Sequence, residues 1–182
     1  AVLRISGIEA LPIAKRIFQP STPKENFDDR RVMFGKLLES GTLVDRAMAV
    51  FFKGPKSYTG EDTVEITLHG GGAVSQKALK AVFDAGARPA APGEFSRRAF
   101  LNGKLDLVQA EAVAELIRAD TDRAHRIAQR QLSGELSARL SEIKTGLHDA
   151  LALIETNIDF SHEDISLFDI SAMTLRLREI AE

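Results

Sequence analysis

The chain has 182 residues, of which 27% are charged, and its formal net charge is −2. This length allows one large or two small domains with a substantial core, and a charge so close to zero gives no long-range attraction for nucleic acid or an acidic membrane. The absence of cysteine excludes disulfides, thiol catalysis and zinc–thiolate sites. No apolar run approaches the ~20 residues needed to span a bilayer and no signal peptide opens the sequence, so we expect a soluble, intracellular protein.

The first hundred residues alternate between strand and helix patterns, which predicts a mixed α/β domain. The predicted strands are Val2–Ile5, Arg31–Phe34, Ala47–Phe52 and Thr63–Leu68, and the predicted helices are Ala10–Phe18 and Val74–Phe83. A turn is expected at Ser40-Gly41, between the second and third of these strands.

The strand Thr63–Leu68 has the clearest alternation, and it raises the question of what Glu65 does. Its apolar residues fall on one face, which carries Val64, Ile66 and Leu68. A carboxylate in a half-buried strand is costly unless it is paired or used by a ligand. The alternative is that Glu65 lies on a solvated outer face. Arg4, inside the first strand, raises the same two possibilities.

The segment His69–Gly72 lies between a predicted strand and a predicted helix. One interpretation is an anion site made by backbone N–H groups at the helix N-terminus. A second is an esterase oxyanion segment, but the sequence has no G-x-S-x-G nucleophile and this interpretation fails. The third is a tight turn that lets helix and strand pack closely.

The segment "APGEFSRRAFLNGKLDLVQAEAV", residues 91–113, carries an unusual density of functional groups. Glu94 is placed to cap a helix start, and Asp106 with Gln109 predicts a capping box. Arg97 and Arg98 allow either a solvated face or a site. Lys104 follows the Asn102-Gly103 turn, which aims its ammonium at a fixed point. With Glu65, these cations indicate a site for a ligand that has both acidic and basic groups.

After Lys104 the pattern is helical only. Apolar residues recur every three or four positions from Leu136 to Ile154, which predicts a bundle or an antiparallel coiled-coil pair. A last helix is expected through Leu175 and Leu177. We expect an α+β protein with one domain at residues 1–102 and a helical domain at residues 103–182, cut at both ends from a longer chain.

Four motifs occur in the order and spacing of one known family. They are "VLRISG", "SYTGEDTVEITLHGG", "PGEFSRRAFLNGKLDLVQAEAVAELI" and "IETNIDFSHEDI". On these motifs the sequence resembles the tRNA-modification GTPases called MnmE or TrmE. The resemblance implies an N-terminal domain similar to the folate-binding domain of the glycine-cleavage T-protein, followed by a helical bundle. It also implies a cytoplasmic homodimer that pairs through the N-terminal domain.

The resemblance further implies a ligand and a reaction. Family members bind a 5-formyl-tetrahydrofolate-type carrier near the dimer interface. With the flavin protein MnmG they modify carbon 5 of the wobble uridine in certain tRNAs, and GTP hydrolysis drives the cycle. Carried over residue by residue, the folate site comprises Arg4, Glu65 and Lys104. No catalytic or metal-binding residue is expected in this chain.

The sequence departs from the family pattern in one important respect: it has no P-loop and no other guanine-nucleotide motif. GTP, Mg²⁺ and K⁺ therefore belong to the G domain of the full-length family, and this chain is not expected to hydrolyse GTP. The alternative function is a purely structural dimerisation module that does not bind folate.

Overall fold

The computed structural model describes residues 1–22 and 26–159, together with residues 174 and 178. The chain divides into two units, Ala1–Ala110 and Glu111–Glu182. The predicted last helix through Leu175 and Leu177, and the part of the "IDFSHEDI" segment beyond residue 159, lie outside the described residues.

The first unit is built on a five-stranded sheet in the order β1-β5-β4-β3-β2, and every neighbouring pair is antiparallel. The strands are β1 (Val2–Ser6), β2 (Phe18–Pro20), β3 (Val32–Glu39), β4 (Thr42–Phe52) and β5 (Thr63–Thr67). The helices that accompany them are α1 (Ala10–Ile17), α2 (Gly72–Asp84) and α3 (Glu94–Leu101).

One face of the sheet forms the core with α1 and α2. The predicted inward set of the fifth strand is confirmed, because Val64, Ile66 and Leu68 are all buried. From α1, Ile13 and Ile17 join the same hydrophobic cluster, as does Val82 of α2. The opposite, outer face of the sheet carries Glu65 and remains accessible.

The β3–β4 hairpin turns at Ser40-Gly41, as the sequence predicts. Both residues have positive φ, 49° and 83°, which matches the right-handed twist of a two-residue hairpin. The two strands are longer than predicted because the alternation continues to the turn on both sides. β2 was not predicted, since its three residues directly follow α1 and carry no periodicity of their own.

Helix α4 (Leu107–Arg118) begins with the predicted capping box. The backbone N–H of Gln109 donates to Asp106 Oδ1 at 2.9 Å, and the backbone N–H of Asp106 donates to Gln109 Oε1 at 3.0 Å. These two reciprocal bonds satisfy backbone donors at the helix start and confirm the predicted capping box of Asp106 and Gln109.

The second unit is helical where it is described, with α5 (Asp122–Leu132) and α6 (Glu135–Asp159). Helix α6 contains the whole predicted apolar seam. Its larger members are 40–51% exposed: Leu136, Leu140, Ile143, Leu147 and Ile154. The predicted α+β class, an α+β unit followed by helices, is confirmed. None of the helices in the described residues has the length and apolarity needed to cross a bilayer.

Candidate functional site

Arg4 and Glu65 form a direct ion pair on the outer face of the sheet. They are cross-strand partners in the β1–β5 register, which places their side chains side by side. Arg4 Nε donates to Glu65 Oε1 at 2.7 Å. Their side chains are 38% and 28% exposed, so the pair remains accessible to a ligand.

The pair retains unused hydrogen-bonding capacity. Among the described residues, neither the Nη atoms of Arg4 nor Glu65 Oε2 has a hydrogen-bond partner. Two donor groups and one carboxylate oxygen of the pair therefore remain available to a ligand. This arrangement can bind a planar ligand that carries both donors and acceptors.

Two aromatic rings flank the Arg4 guanidinium. Its Cζ atom lies 5.4 Å from the ring centroid of Tyr58 and 5.6 Å from that of Phe95. Tyr58 belongs to the loop between β4 and β5, and Phe95 belongs to α3. The hydroxyl of Tyr58 lies 3.0 Å from Ser96 Oγ, so a hydrogen bond joins the loop to the helix beside Phe95.

Lys104 reaches the same β4–β5 loop but does not contact the ion pair. Asn102 donates to the backbone carbonyl of Thr59 at 2.7 Å, which holds the Asn102-Gly103 turn against the loop. The aliphatic stem of Lys104 then passes Gly60, where an added Cβ would lie 3.2 Å from Lys104 Cγ. Within the described residues, Lys104 Nζ has no hydrogen-bond or ion-pair partner.

The loop between β4 and β5, residues 53–62, thus connects the three predicted ligand residues. The Tyr58 ring lies beside the Arg4 guanidinium, and a Cβ added at Gly60 would contact Lys104. Glu65 lies in the strand that follows the loop. The structure brings Arg4 and Glu65 into contact, and it places the side chain of Lys104 against the β4–β5 loop, whose Tyr58 lies beside Arg4.

A second charge network anchors α3 to this loop. Arg98 Nη1 donates to Glu61 Oε2 at 2.9 Å, and Arg98 Nη2 donates to Glu94 Oε1 at 2.7 Å. Arg88 and the backbone N–H of Ala91 also donate to Glu94. Glu94 thus binds groups on both sides of the helix start, and Arg98 is not a merely solvated residue. Arg97, by contrast, is exposed.

These contacts shift the pKa values of Glu94 and Arg98. The Arg88 guanidinium, then the Ala91 N–H and then Arg98 hold the pKa of the Glu94 carboxyl well below its ordinary value. Glu61, and after it Glu94, raises the pKa of Arg98. Both shifts favour the charged forms of Glu94 and Arg98. The ion pairs of the network hold α3, the helix that carries Phe95, against the loop.

The His69–Gly72 segment is held by Asp45 of β4. The backbone N–H of His69 donates to Asp45 Oδ2, and its Nδ1 lies 2.8 Å from Asp45 Oδ1. Burial alone would raise the pKa of Asp45, but these hydrogen bonds from His69 lower it. A Cβ at Gly71 or Gly72 would meet nothing within 4 Å, and one at Gly70 would lie 4.0 Å from the Ala1 backbone nitrogen, so close packing does not require glycine at positions 71 and 72.

A cavity of about 850 Å³ opens beside the edge strand β1. Its walls are apolar residues of β1, α1 and α2, and its rim carries Arg4, Glu61, Glu94 and Arg98. Of the three predicted ligand residues, only Arg4 borders this cavity. Glu65 and Lys104 are not part of its lining.

The outer face of the sheet also carries exposed apolar side chains in one cross-strand row. The register aligns Val2, Thr67, Met48 and Phe34 across four strands. Val2, Met48 and Phe34 are 62%, 45% and 50% exposed. The next row on the same face begins with Arg4 and Glu65. The ion pair therefore lies beside an accessible apolar surface.

Comparison with known proteins identifies the family. Residues 1–104 match the model described as the N-terminus of the GTP-binding protein TrmE, and residues 107–182 match the MnmE helical domain. The chain belongs to the MnmE (TrmE) family. Among MnmE relatives, the tRNA modification GTPase MnmE of Geobacter sulfurreducens is 47% identical over all of this chain and 40% of its own length.

Other MnmE relatives agree. The tRNA modification GTPase MnmE of Aquifex aeolicus is 46% identical, and that of Clostridioides difficile is 43% identical. Each alignment covers 90% of this chain and 36% of the relative. The chain thus spans 36 to 40% of the length of these MnmE proteins.

The sequence patterns did not single out Tyr58, Phe95 or Glu61 of this MnmE-family chain. Each lies in or beside one of the family motifs, "SYTGED" or "PGEF", but aromatic and acidic residues there have no periodic signal. The sequence signal available is the glycine within each motif, Gly60 or Gly93, because a glycine at such a position indicates a turn.

Proposed function

We propose that this chain binds a 5-formyl-tetrahydrofolate-type one-carbon carrier through Arg4, Glu65 and Lys104. The observation that carries this proposal is the Arg4–Glu65 pair beside two aromatic rings. Within the part of the chain that the structure describes, one carboxylate oxygen and both Nη groups of this pair have no hydrogen-bond partner. The hydrogen bond from Arg4 Nε to Glu65 Oε1 places the two groups next to each other before a ligand binds.

The chemistry of the carrier matches these groups. A pterin presents a guanidine-like edge of adjacent N–H donors, which a carboxylate such as Glu65 accepts. The glutamate tail of the carrier is negatively charged, and Arg4 or Lys104 supplies the opposing charge. The aliphatic stem of Lys104 is held against Gly60, which restricts where its ammonium can go.

We further propose that the chain forms a homodimer through the outer face of its sheet. The row of Val2, Met48 and Phe34 leaves apolar area exposed that a second copy would cover. Because the Arg4–Glu65 row is adjacent, a partner subunit on this face would lie next to the ligand.

In the whole protein we assign binding and pairing to residues 1–102, and to residues 103–182 the start of a helical domain. We propose that the complete GTPase acts in the cytoplasm with MnmG on carbon 5 of the wobble uridine of certain tRNAs. GTP hydrolysis would occur in a G domain that this sequence lacks.

Calorimetric titration of 5-formyl-tetrahydrofolate into the purified chain tests the ligand proposal. We expect saturable binding that weakens about 10- to 100-fold in Glu65→Gln, because one charge-assisted hydrogen bond is lost. Glu39→Gln is the matched control, since Glu39 is also a strand glutamate in an ion pair, with Lys80 at 2.6 Å. Equal affinity in the two variants would remove Glu65 from the site.

The exposed apolar row also favours the alternative, a dimerisation module without a ligand. Sedimentation velocity with and without the carrier separates the two functions. A stable dimer whose calorimetric titration shows no heat of binding would support the module, and a dimer that binds the carrier would support the proposed function.

A further inference from the structure

We propose that Tyr58 and Phe95 are positioning residues that clamp the Arg4 guanidinium in the orientation in which it meets the ligand. This inference rests on the proposed function, because it concerns the same site. It adds two residues, from two separate elements, to a site whose polar groups alone do not fix its geometry.

The need for a clamp follows from how Arg4 is held. Arginine has a long stem with several rotatable bonds, and ordering it on a surface is opposed by side-chain entropy. Arg4 projects from the edge strand β1, and among the described residues its side chain makes one hydrogen bond, from Nε to Glu65. A single bond at Nε leaves the side chain free to swing both Nη groups away from the ligand.

The two rings supply the missing restraint. Both centroids lie within the ~6 Å at which a cation is attracted to an aromatic face, at 5.4 Å for Tyr58 and 5.6 Å for Phe95. The guanidinium of Arg4 is therefore held by three groups: the Glu65 carboxylate and the two rings. A guanidinium that contacts the rings keeps its Nη groups available, because ring contact uses no donor.

The positions of the rings are coupled to each other. The hydroxyl of Tyr58 bonds to Ser96, the residue after Phe95, at 3.0 Å. Arg98, further along α3, is tied to Glu61 of the Tyr58 loop at 2.9 Å. The loop and the helix therefore hold a fixed separation, which sets the width of the space that Arg4 occupies.

Calorimetry with 5-formyl-tetrahydrofolate tests the clamp by separating the ring from the hydroxyl. Tyr58→Leu and Phe95→Leu are each expected to weaken binding about 2- to 5-fold, whereas Tyr58→Phe keeps the ring and stays nearer the wild-type affinity. Phe100→Leu is the matched control. Phe100 lies on α3, as Phe95 does, and it is 40% exposed, close to the 39% of Tyr58.

A double-mutant cycle distinguishes positioning from general packing. In an Arg4→Ala background, Tyr58→Leu and Phe95→Leu are expected to have no further effect on affinity, since there is no guanidinium left to position. The clamp proposal is wrong if the ring substitutions weaken binding equally with and without Arg4. It is also wrong if they do not weaken binding in a chain that binds the carrier.

A ligand-free measurement makes the result independent of the proposed function. In ¹⁵N-labelled protein, the Nε–Hε signal of Arg4 is assigned by its loss in Arg4→Lys, and its heteronuclear NOE reports side-chain order. We expect a high value in wild type and Tyr58→Phe and a lower value in the two leucine variants. A chain that binds no carrier yet shows this pattern would overturn the ligand proposal and support the clamp, while unchanged NOE values would overturn the clamp.

Discussion

Arg4 and Glu65 face each other across β1 and β5, and Arg4 Nε donates to Glu65 Oε1 at 2.7 Å. The pair is partly exposed, so we expect its contribution to the free energy of unfolding to be about 1 kcal/mol or less. We therefore expect the geometry of the pair to matter more for the proposed ligand binding than for folding. Exchanging the two charges tests this separation.

The exchange variant combines Arg4→Glu with Glu65→Arg. Each single change places like charges opposite one another and lowers the free energy of unfolding by about 0.2–1 kcal/mol, whereas the double variant recovers most of this loss. Binding of 5-formyl-tetrahydrofolate is not expected to recover, because the carboxylate and the guanidinium now occupy each other's places. Urea denaturation and calorimetry measure the two effects, and recovered binding in the double variant would contradict the site assignment.

Lys104 is expected to bind the carrier through electrostatic attraction rather than through close packing. Lys104→Gln should weaken binding, and it should also flatten the dependence of affinity on ionic strength, because salt screens the attraction between the ammonium and the glutamate tail. Calorimetry at about 0.05 and 0.5 M NaCl measures both, since the Debye length differs several-fold between them. Lys77→Gln, at an exposed position of α2, is the control, and the same salt dependence in both variants would exclude Lys104 from the site.

The residues of the site could be predicted from the sequence more readily than their contacts. Alternation identifies Glu65 as an outward residue of a strand, and the motif places Lys104 after a turn. The contact between Arg4 and Glu65 depends on pairing two strands 61 residues apart, which periodicity alone does not give. The pair of Arg98 and Glu61 spans 37 residues and is likewise set by tertiary packing.

The fold shows the same division. Local patterns were sufficient for the Ser40-Gly41 turn and for the Asp106–Gln109 capping box, because backbone chemistry within a few residues determines both. β2 was missed, because its pairing with β3 is what makes it a strand. The aromatic surroundings of Arg4 were missed for a related reason, since they come from a loop and a helix that meet only in the folded unit.

Gly60 is expected to be essential for the placement of Lys104. It has a φ of 79°, and a Cβ there would lie 3.0 Å from Asn102 Cβ and 3.2 Å from Lys104 Cγ. Gly60→Ala therefore adds a steric conflict to the backbone strain of about 1–2 kcal/mol. Gly41→Ala isolates the strain, because Gly41 has a φ of 83° and nothing within 4 Å of the added Cβ.

We expect Gly60→Ala to lower the free energy of unfolding by more than Gly41→Ala does, and to be the only one of the two that weakens carrier binding. Chemical denaturation and calorimetry on both variants provide the comparison. Equal losses of stability with unchanged binding would show that the contact with Lys104 has no functional consequence.

Glu94 gives the first unit a stability that depends on pH. Its pKa in the folded chain lies below its value in the unfolded chain, mainly because of Arg88. The stabilisation is therefore fully present above the unfolded pKa of about 4.3 and is lost as the pH falls below it. Melting temperatures measured from pH 7 to pH 3 should decline less steeply in Glu94→Gln than in the wild type. Glu9→Gln, which removes an exposed carboxylate from the start of α1, should retain the wild-type slope.

The outer sheet face is expected to hold two copies of the chain together. Phe34 is 50% exposed and lies in the row with Met48 and Val2, so an aspartate there would place a charge inside the apolar interface. We expect Phe34→Asp to raise the dimer dissociation constant at least about tenfold in sedimentation equilibrium. Leu79→Asp, at an exposed apolar position of α2 rather than on the sheet, should leave it unchanged. A wild-type chain that stays monomeric at tens of micromolar, or a Phe34→Asp dimer as tight as the wild type, would move the interface elsewhere.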